Sequence, residues 1–180
     1  MRKTGSEDGR IKIDPNSILV SDTKEPGVHS YREQFERLLR SYARLESIYK
    51  GRAHDTRSEN YRDEVYTFFS NCYHLKDWLK NDPGFSGAKE VENYINANQE
   101  LQLCADICNA HKHFRLDKPR STEQPRVGGQ KIDLKLGARE IAIKVKFTID
   151  TGSGPIDAFD LATKCLELWK AFLVKNGDTA

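Results

Sequence analysis

The sequence predicts a mainly α fold, a four- or five-helix bundle with a β-hairpin inserted before the last helix. Three observations carry that expectation. Apolar side chains recur at helical spacing through 31–49, 61–79 and 159–173, apolar and polar residues alternate from Ile132 to Ile149, and Gly, Pro and Asn punctuate the joints between these stretches. With 180 residues, of which 37% are hydrophobic, the chain can build one core without disulfides or metal as staples.

Residues 1–28 are polar and carry Pro15, Pro26 and three glycines, with only Arg10 to Asp14 and Ser17 to Val20 suited to strands. They are expected to form a flexible or edge-docked arm, and residues 29–180 a single helical-bundle domain. The first helix starts at Ser30, where Ser30-Tyr31-Arg32-Glu33 fits a capping box, and its stripe Tyr31, Phe35, Leu38, Tyr42, Leu45, Tyr49 runs to Gly51. The second starts near Thr56 or Ser58 and presents Tyr61, Val65, Phe68, Cys72, Leu75 and Leu79 until Asn81-Asp82-Pro83-Gly84 stops it. A third begins near Ala88, kinks around Asn96 to Asn98 and continues to Phe114 or Arg115. Residues 117–129 read as a loop.

The hairpin follows at about 130–150, with Ile132, Leu134 and Leu136 on one strand, a turn at Gly137-Ala138, and Ile141, Ile143, Val145, Phe147 and Ile149 on the other. Two strands alone are marginal, so the apolar face must cover the bundle, pair with the arm, or pair with another protomer. After Thr151-Gly152-Ser153-Gly154, Pro155 is expected as the first residue of a last helix that buries Phe159, Ala162, Leu166, Trp169 and Leu173.

No run approaches the roughly 18 apolar residues of a membrane span, and the N-terminus lacks a signal-peptide core. A cytoplasmic protein with no membrane contact is expected. Cys72, Cys104, Cys108 and Cys165 all fall on apolar helix faces, as reduced thiols in a core do. Charge is unevenly spread: between His111 and Lys146 ten Lys or Arg face four acids, an excess of six, while the remainder of the chain carries an excess of four acids. Such a segment attracts phosphate.

The most informative stretch is Asp106-Ile107-Cys108-Asn109-Ala110-His111-Lys112-His113-Phe114. At 100° per residue, Gln102, Asp106, Asn109 and His113 fall within an arc of about 60° on an otherwise apolar helix. A narrow polar stripe needs partners or lines a site. On the second helix, Tyr66, Ser70, Tyr73, His74 and Asp77 share a face, and the three-residue step from His74 to Asp77 suits a carboxylate that orients an imidazole. If the two helices pack along these edges, His74, Asp77, Asp106, Asn109 and His113 converge on an acid/base pocket beside Lys112 and Arg115. That chemistry would suit cleavage of RNA, one imidazole activating a 2′-hydroxyl while a cation stabilises the phosphorane. The competing reading is a buried network that fixes packing. Cys104, Cys108 and His111 lie on the opposite side, with Cys72 or Cys165 as a fourth ligand for zinc; their spacing is not that of a zinc finger, and neither a metal site nor a cofactor is expected.

The helices and the segment Asn109-Ala110-His111-Lys112-His113 remotely resemble the HEPN superfamily of helical-bundle proteins, common in prokaryotic toxin and antiphage defence systems. Members that cleave RNA carry an Arg, usually followed by a polar residue, about four to six positions before a His, and two such motifs meet across a homodimer. Asn109 fits the polar position and His113 the histidine, while Cys108 occupies the arginine position, so the match is to a degenerate motif. The resemblance implies binding of RNA or a nucleotide by a homodimer, extending to a degenerate, metal-independent endoribonuclease. Asn109 and His113 would lead, supported by His74, Asp77 and Asp106, with Lys112, Arg115, Arg120, Lys144 and Lys146 holding nucleic acid. The alternative is a non-enzymatic protein-interaction module or subunit of a larger assembly, whose basic hairpin docks an acidic protein partner.

Overall fold

Ser30 opens the first helix as expected, but its hydroxyl accepts the Arg32 N–H at 3.3 Å rather than the Glu33 N–H of a capping box, which bonds the Ser30 carbonyl at 3.0 Å. The computed structural model describes residues 30–54, 61–113, 116–137 and 141–178. The expected arm, the start of the second helix at Thr56 or Ser58, Phe114, Arg115 and the turn at Ala138 therefore lie outside the described residues.

Helix α1 spans Tyr31–Lys50 and buries Tyr31, Phe35, Leu38, Leu45 and Ile48. It stops at Gly51, whose φ of +104° is open to glycine and strained for other residues, and the chain turns into the two-residue strand β1, Arg52–Ala53. Tyr42 and Tyr49 sit at the margin of the α1 face and stack on Phe159, with ring centroids 5.4 and 4.6 Å away. Helix α2, Tyr61–Asn81, buries Val65, Phe68, Phe69, Cys72, Leu75 and Leu79. Where it ends, Asp82 accepts the Gly84 N–H at 2.8 Å and the Tyr31 N–H at 2.9 Å, so one carboxylate closes α2 and anchors the start of α1.

A 3-10 turn at Ala88–Glu90 leads into the short α3, Val91–Asn96, and then α4, Gln99–His113. The kink expected near Asn96 is a full break at Ala97-Asn98, with the Asn98 carbonyl accepting from Gln102 N–H at 3.1 Å. Strand β2 spans Arg126–Leu136, β3 Ile141–Thr151, β4 Gly154–Asp157, and α5 Ala158–Lys175.

The expected hairpin is the centre of a four-stranded antiparallel sheet. Strand β3 pairs along its length with β2, from Arg126 opposite Asp150 to Leu136 opposite Ile141, while β1 and β4 pair with its two ends on the other side. Ile143, Val145, Phe147 and Ile149 point from β3 into the core that α1 and α5 close. Pro155 lies in β4 opposite Asp150 rather than opening the last helix. The residue that opens α5 is Asp157, whose carboxylate accepts from Phe159 N–H at 2.8 Å and Asp160 N–H at 3.2 Å; Pro155, with no N–H, suits a strand at a sheet edge. Helix α5 then buries Leu161, Ala162, Cys165, Leu166, Trp169, Phe172 and Leu173. At roughly 1.5 to 3 kcal/mol per large side chain, such faces hold the five α-helices and the sheet together. The protein is mainly α, and no helix among the described residues is long and apolar enough to cross a membrane.

Candidate functional site at the seam of two helices

Helices α2 and α4 meet along the side of α4 that carries Cys104, Cys108 and His111. Cys104 donates to the Phe69 carbonyl at 3.5 Å, and Cys108 lies 3.9 Å from Ser70 Oγ and 4.0 Å from His74 Nε2. One turn further on, the Tyr66 and His111 rings stack at 4.0 Å with planes 17° apart. Tyr66, Ser70 and His74 are successive i+4 positions on α2, so the seam reads as a ladder of contacts. Burial lifts the Cys108 thiol above its ordinary value, and it faces His74 as a neutral thiol.

The Tyr66–His111 stack divides two open depressions, each of about 540 Å³. The first is lined by Ile107, Lys112, His113, Pro125, Arg126 and Val127, the second by Asp63, Thr67, Ser70, Asn71 and His74, and both share the two stacked rings. His74, His111 and His113 are all exposed. A third depression of about 390 Å³ lies elsewhere, between the start of α4 and that of α5, where Glu100, Glu123, Asp157 and Asp160 outnumber Lys164. Its carboxylates disfavour a polyanion.

The structure brings together part of the expected constellation. His74 and His113 open to neighbouring depressions rather than to one cleft. Asp77 accepts from Lys76 Nζ at 2.9 Å, so the partner in contact with it is that ammonium and not the His74 ring. Asp106, only 1% exposed, turns away from both histidines: its carboxylate accepts from Arg120 N–H at 2.8 Å, Ser121 N–H at 2.7 Å and Ser121 Oγ at 2.6 Å. Asn109 is half-buried on the flank of α4. The expected packing of α2 against the Asp106, Asn109, His113 edge is not formed, because the cysteine side of α4 is the one with apolar area to bury.

The cations are likewise divided. Lys112 borders the first depression, joined by Arg126. Arg120 is engaged with Glu92 at 3.0 Å and Asn96 at 3.2 Å. Lys144 and Lys146 lie over the Tyr49 ring, 6.0 and 4.7 Å from its centroid, away from both depressions. Arg115 is outside the described residues. Arg126 and the ring partnership of His111 are the features that sequence reasoning did not single out. Tyr66 and Ser70 on one arc of α2 were the available signal, and the i+3 step from Cys108 to His111 shows which side of α4 they meet.

The thiols form a different set from the one their spacing suggested. The Cys72, Cys104 and Cys165 sulfurs, from α2, α4 and α5, lie within 4.8 Å of one another, while Cys108 and His111 face the seam. A soft metal held there would need thiolates. Cys104 and Cys165 donate to the carbonyls of Phe69 and Glu100, and burial holds both thiols well above their ordinary range, whereas at Cys72 burial is outweighed by hydrogen bonds with Cys104, Cys165 and Trp169, which lower that thiol. Comparison of the chain with protein-family models, with curated proteins and with solved structures finds no match.

Proposed function

We propose that the protein binds single-stranded RNA or a nucleotide at the α2/α4 seam, as a HEPN-like helical bundle of a prokaryotic toxin or antiphage defence setting. The observation that carries this reading is the Tyr66–His111 stack, two parallel rings standing between open depressions with Lys112, His113 and Arg126 on one flank. A base laid on such a platform is held by stacking and its phosphate by the cations beside it. Cleavage makes a heavier demand, a fixed positive charge next to the imidazole, and Cys108 supplies none. The reading is therefore of a binding site, with His113 as the group on which any strand scission would depend.

The test is fluorescence anisotropy with a labelled single-stranded RNA, competed in separate arms by unlabelled nucleotide and by duplex RNA, on wild type, His111→Ala and Lys112→Ala/Arg126→Ala. Binding that both variants weaken supports the seam; affinity indifferent to both removes it. Incubation with total RNA, comparing wild type and His113→Ala, reports in parallel on cleavage.

A further inference from the structure

Strand β2 has one paired edge and one free edge among the described residues. At its start the free edge is occupied: the Arg62 guanidinium donates to the carbonyls of Val127 and Gly128, both at 3.2 Å, where the strand bulges. Beyond the bulge, from Gln130 to Leu136, the backbone is open for pairing, and along this run the apolar face of the sheet outreaches the helices. Leu134 is 60% exposed, Leu136 82% and Ile132 46%, although their cross-strand partners on β3 include Ile143 and Val145, which are buried. An open edge beside an uncovered aliphatic row is a template for another strand.

We propose that the occupant is β2 of a second copy, paired antiparallel about a two-fold axis through Leu134. In such a pair opposing residues lie on the same face of the sheet, so the axis can pass only through a residue, and the candidates can be compared one by one. An axis at Asp133 sets Asp133 against itself and Lys131 against Lys135. One at Lys135 sets that lysine against itself, and one at Ile132 places Leu134 against Gln130. The axis at Leu134 alone opposes every apolar residue with an apolar one, Leu134 with Leu134 and Ile132 with Leu136, while setting Asp133 against Lys135 twice. Charge and apolar patterns thus select one register from the strand's own sequence. The product is a continuous eight-stranded sheet.

Full-length protein should sediment and scatter as a dimer of the 20.6 kDa chain at about 100 μM. Leu134→Lys should weaken association at least about 100-fold, with unchanged far-UV circular dichroism because the side chain is already exposed. Lys135→Asp, opposite Ala142 within its own hairpin, should also weaken it, since the register then sets two carboxylates against each other. The register itself is read by Leu134→Cys, which should form an intermolecular disulfide on mild oxidation far faster than Ile132→Cys or Leu136→Cys. A monomeric wild type overturns the proposal and leaves the edge to residues 1–29 or to another protein. A dimer untouched by Leu134→Lys, or equal crosslinking at the three positions, overturns it as well.

Discussion

Asp106 grips Ser121 twice, through its backbone N–H at 2.7 Å and through its hydroxyl at 2.6 Å. The contact spans 15 positions in sequence and ties the connection after α4 to the middle of that helix. A buried carboxylate so satisfied stabilises strongly, and leaves its donors stranded when it is altered. Asp106→Asn should cost roughly 2 to 4 kcal/mol, measured by urea denaturation. A change below about 0.5 kcal/mol would show that the carboxylate does not organise this connection.

If the seam holds RNA, its two contributions separate by salt. Lys112→Ala/Arg126→Ala should flatten the dependence of log affinity on log salt by about 1.4, the share of two phosphate contacts on a single strand. Tyr66→Leu should instead lower affinity by about 1 to 3 kcal/mol with the slope nearly intact, and Tyr66→Phe should keep most of it. Equal slopes in wild type and the double variant would place the phosphate elsewhere.

Stability should fall in acid through Glu92. Burial pushes its carboxyl up, but hydrogen bonds from Lys80 and Arg120 and the field of Lys76 outweigh it and hold the group at about 2, against an ordinary 4.5. A depressed carboxyl contributes stability that is present above the unfolded value and lost as pH falls through the folded one. Its loss therefore lies between pH 4.5 and about 2. Glu92→Gln should be less stable than wild type at neutral pH, with the gap narrowing across that window. A gap constant with pH would show that the three cations do not act through this carboxylate.

The four cysteines are free thiols and all are buried. Cys108 alone has 8% exposure, while Cys72, Cys104 and Cys165 have none. In native protein a thiol reagent should modify Cys108 slowly and the other three only as fast as the fold opens, with four equivalents reacting in guanidinium. Rapid native modification of two or more would mean that α2, α4 and α5 part more readily than their packing implies.

The sequence carried the elements better than their meeting. Ser30 and Gly51 mark the ends of α1 through local hydrogen bonding and backbone freedom, and the alternation from Ile132 to Ile149 is borne out in the register of β2 and β3. Periodicity says which residues share a face and is silent on which neighbour that face meets, so the docking of α2 on the cysteine side of α4 stayed hidden. Strand β1, two residues long, has no period to detect. Asp106 looked like part of a polar stripe because its partners are a backbone segment and a serine in a loop that no helical projection contains.

The last described residue returns to the first helix: Tyr31 Oη donates to Asp178 at 2.8 Å and Arg32 meets the same carboxylate at 2.7 Å. The polypeptide between them is thus close to a closed loop, and its order of synthesis is separable from its shape. A short linker joining Asp178 to Ser30, with new ends opened after Gly137 at the outer end of β2, should yield a circular permutant that folds to the same core. Cargo fused at Ser30 or at Asp178 of the described core would leave from neighbouring points.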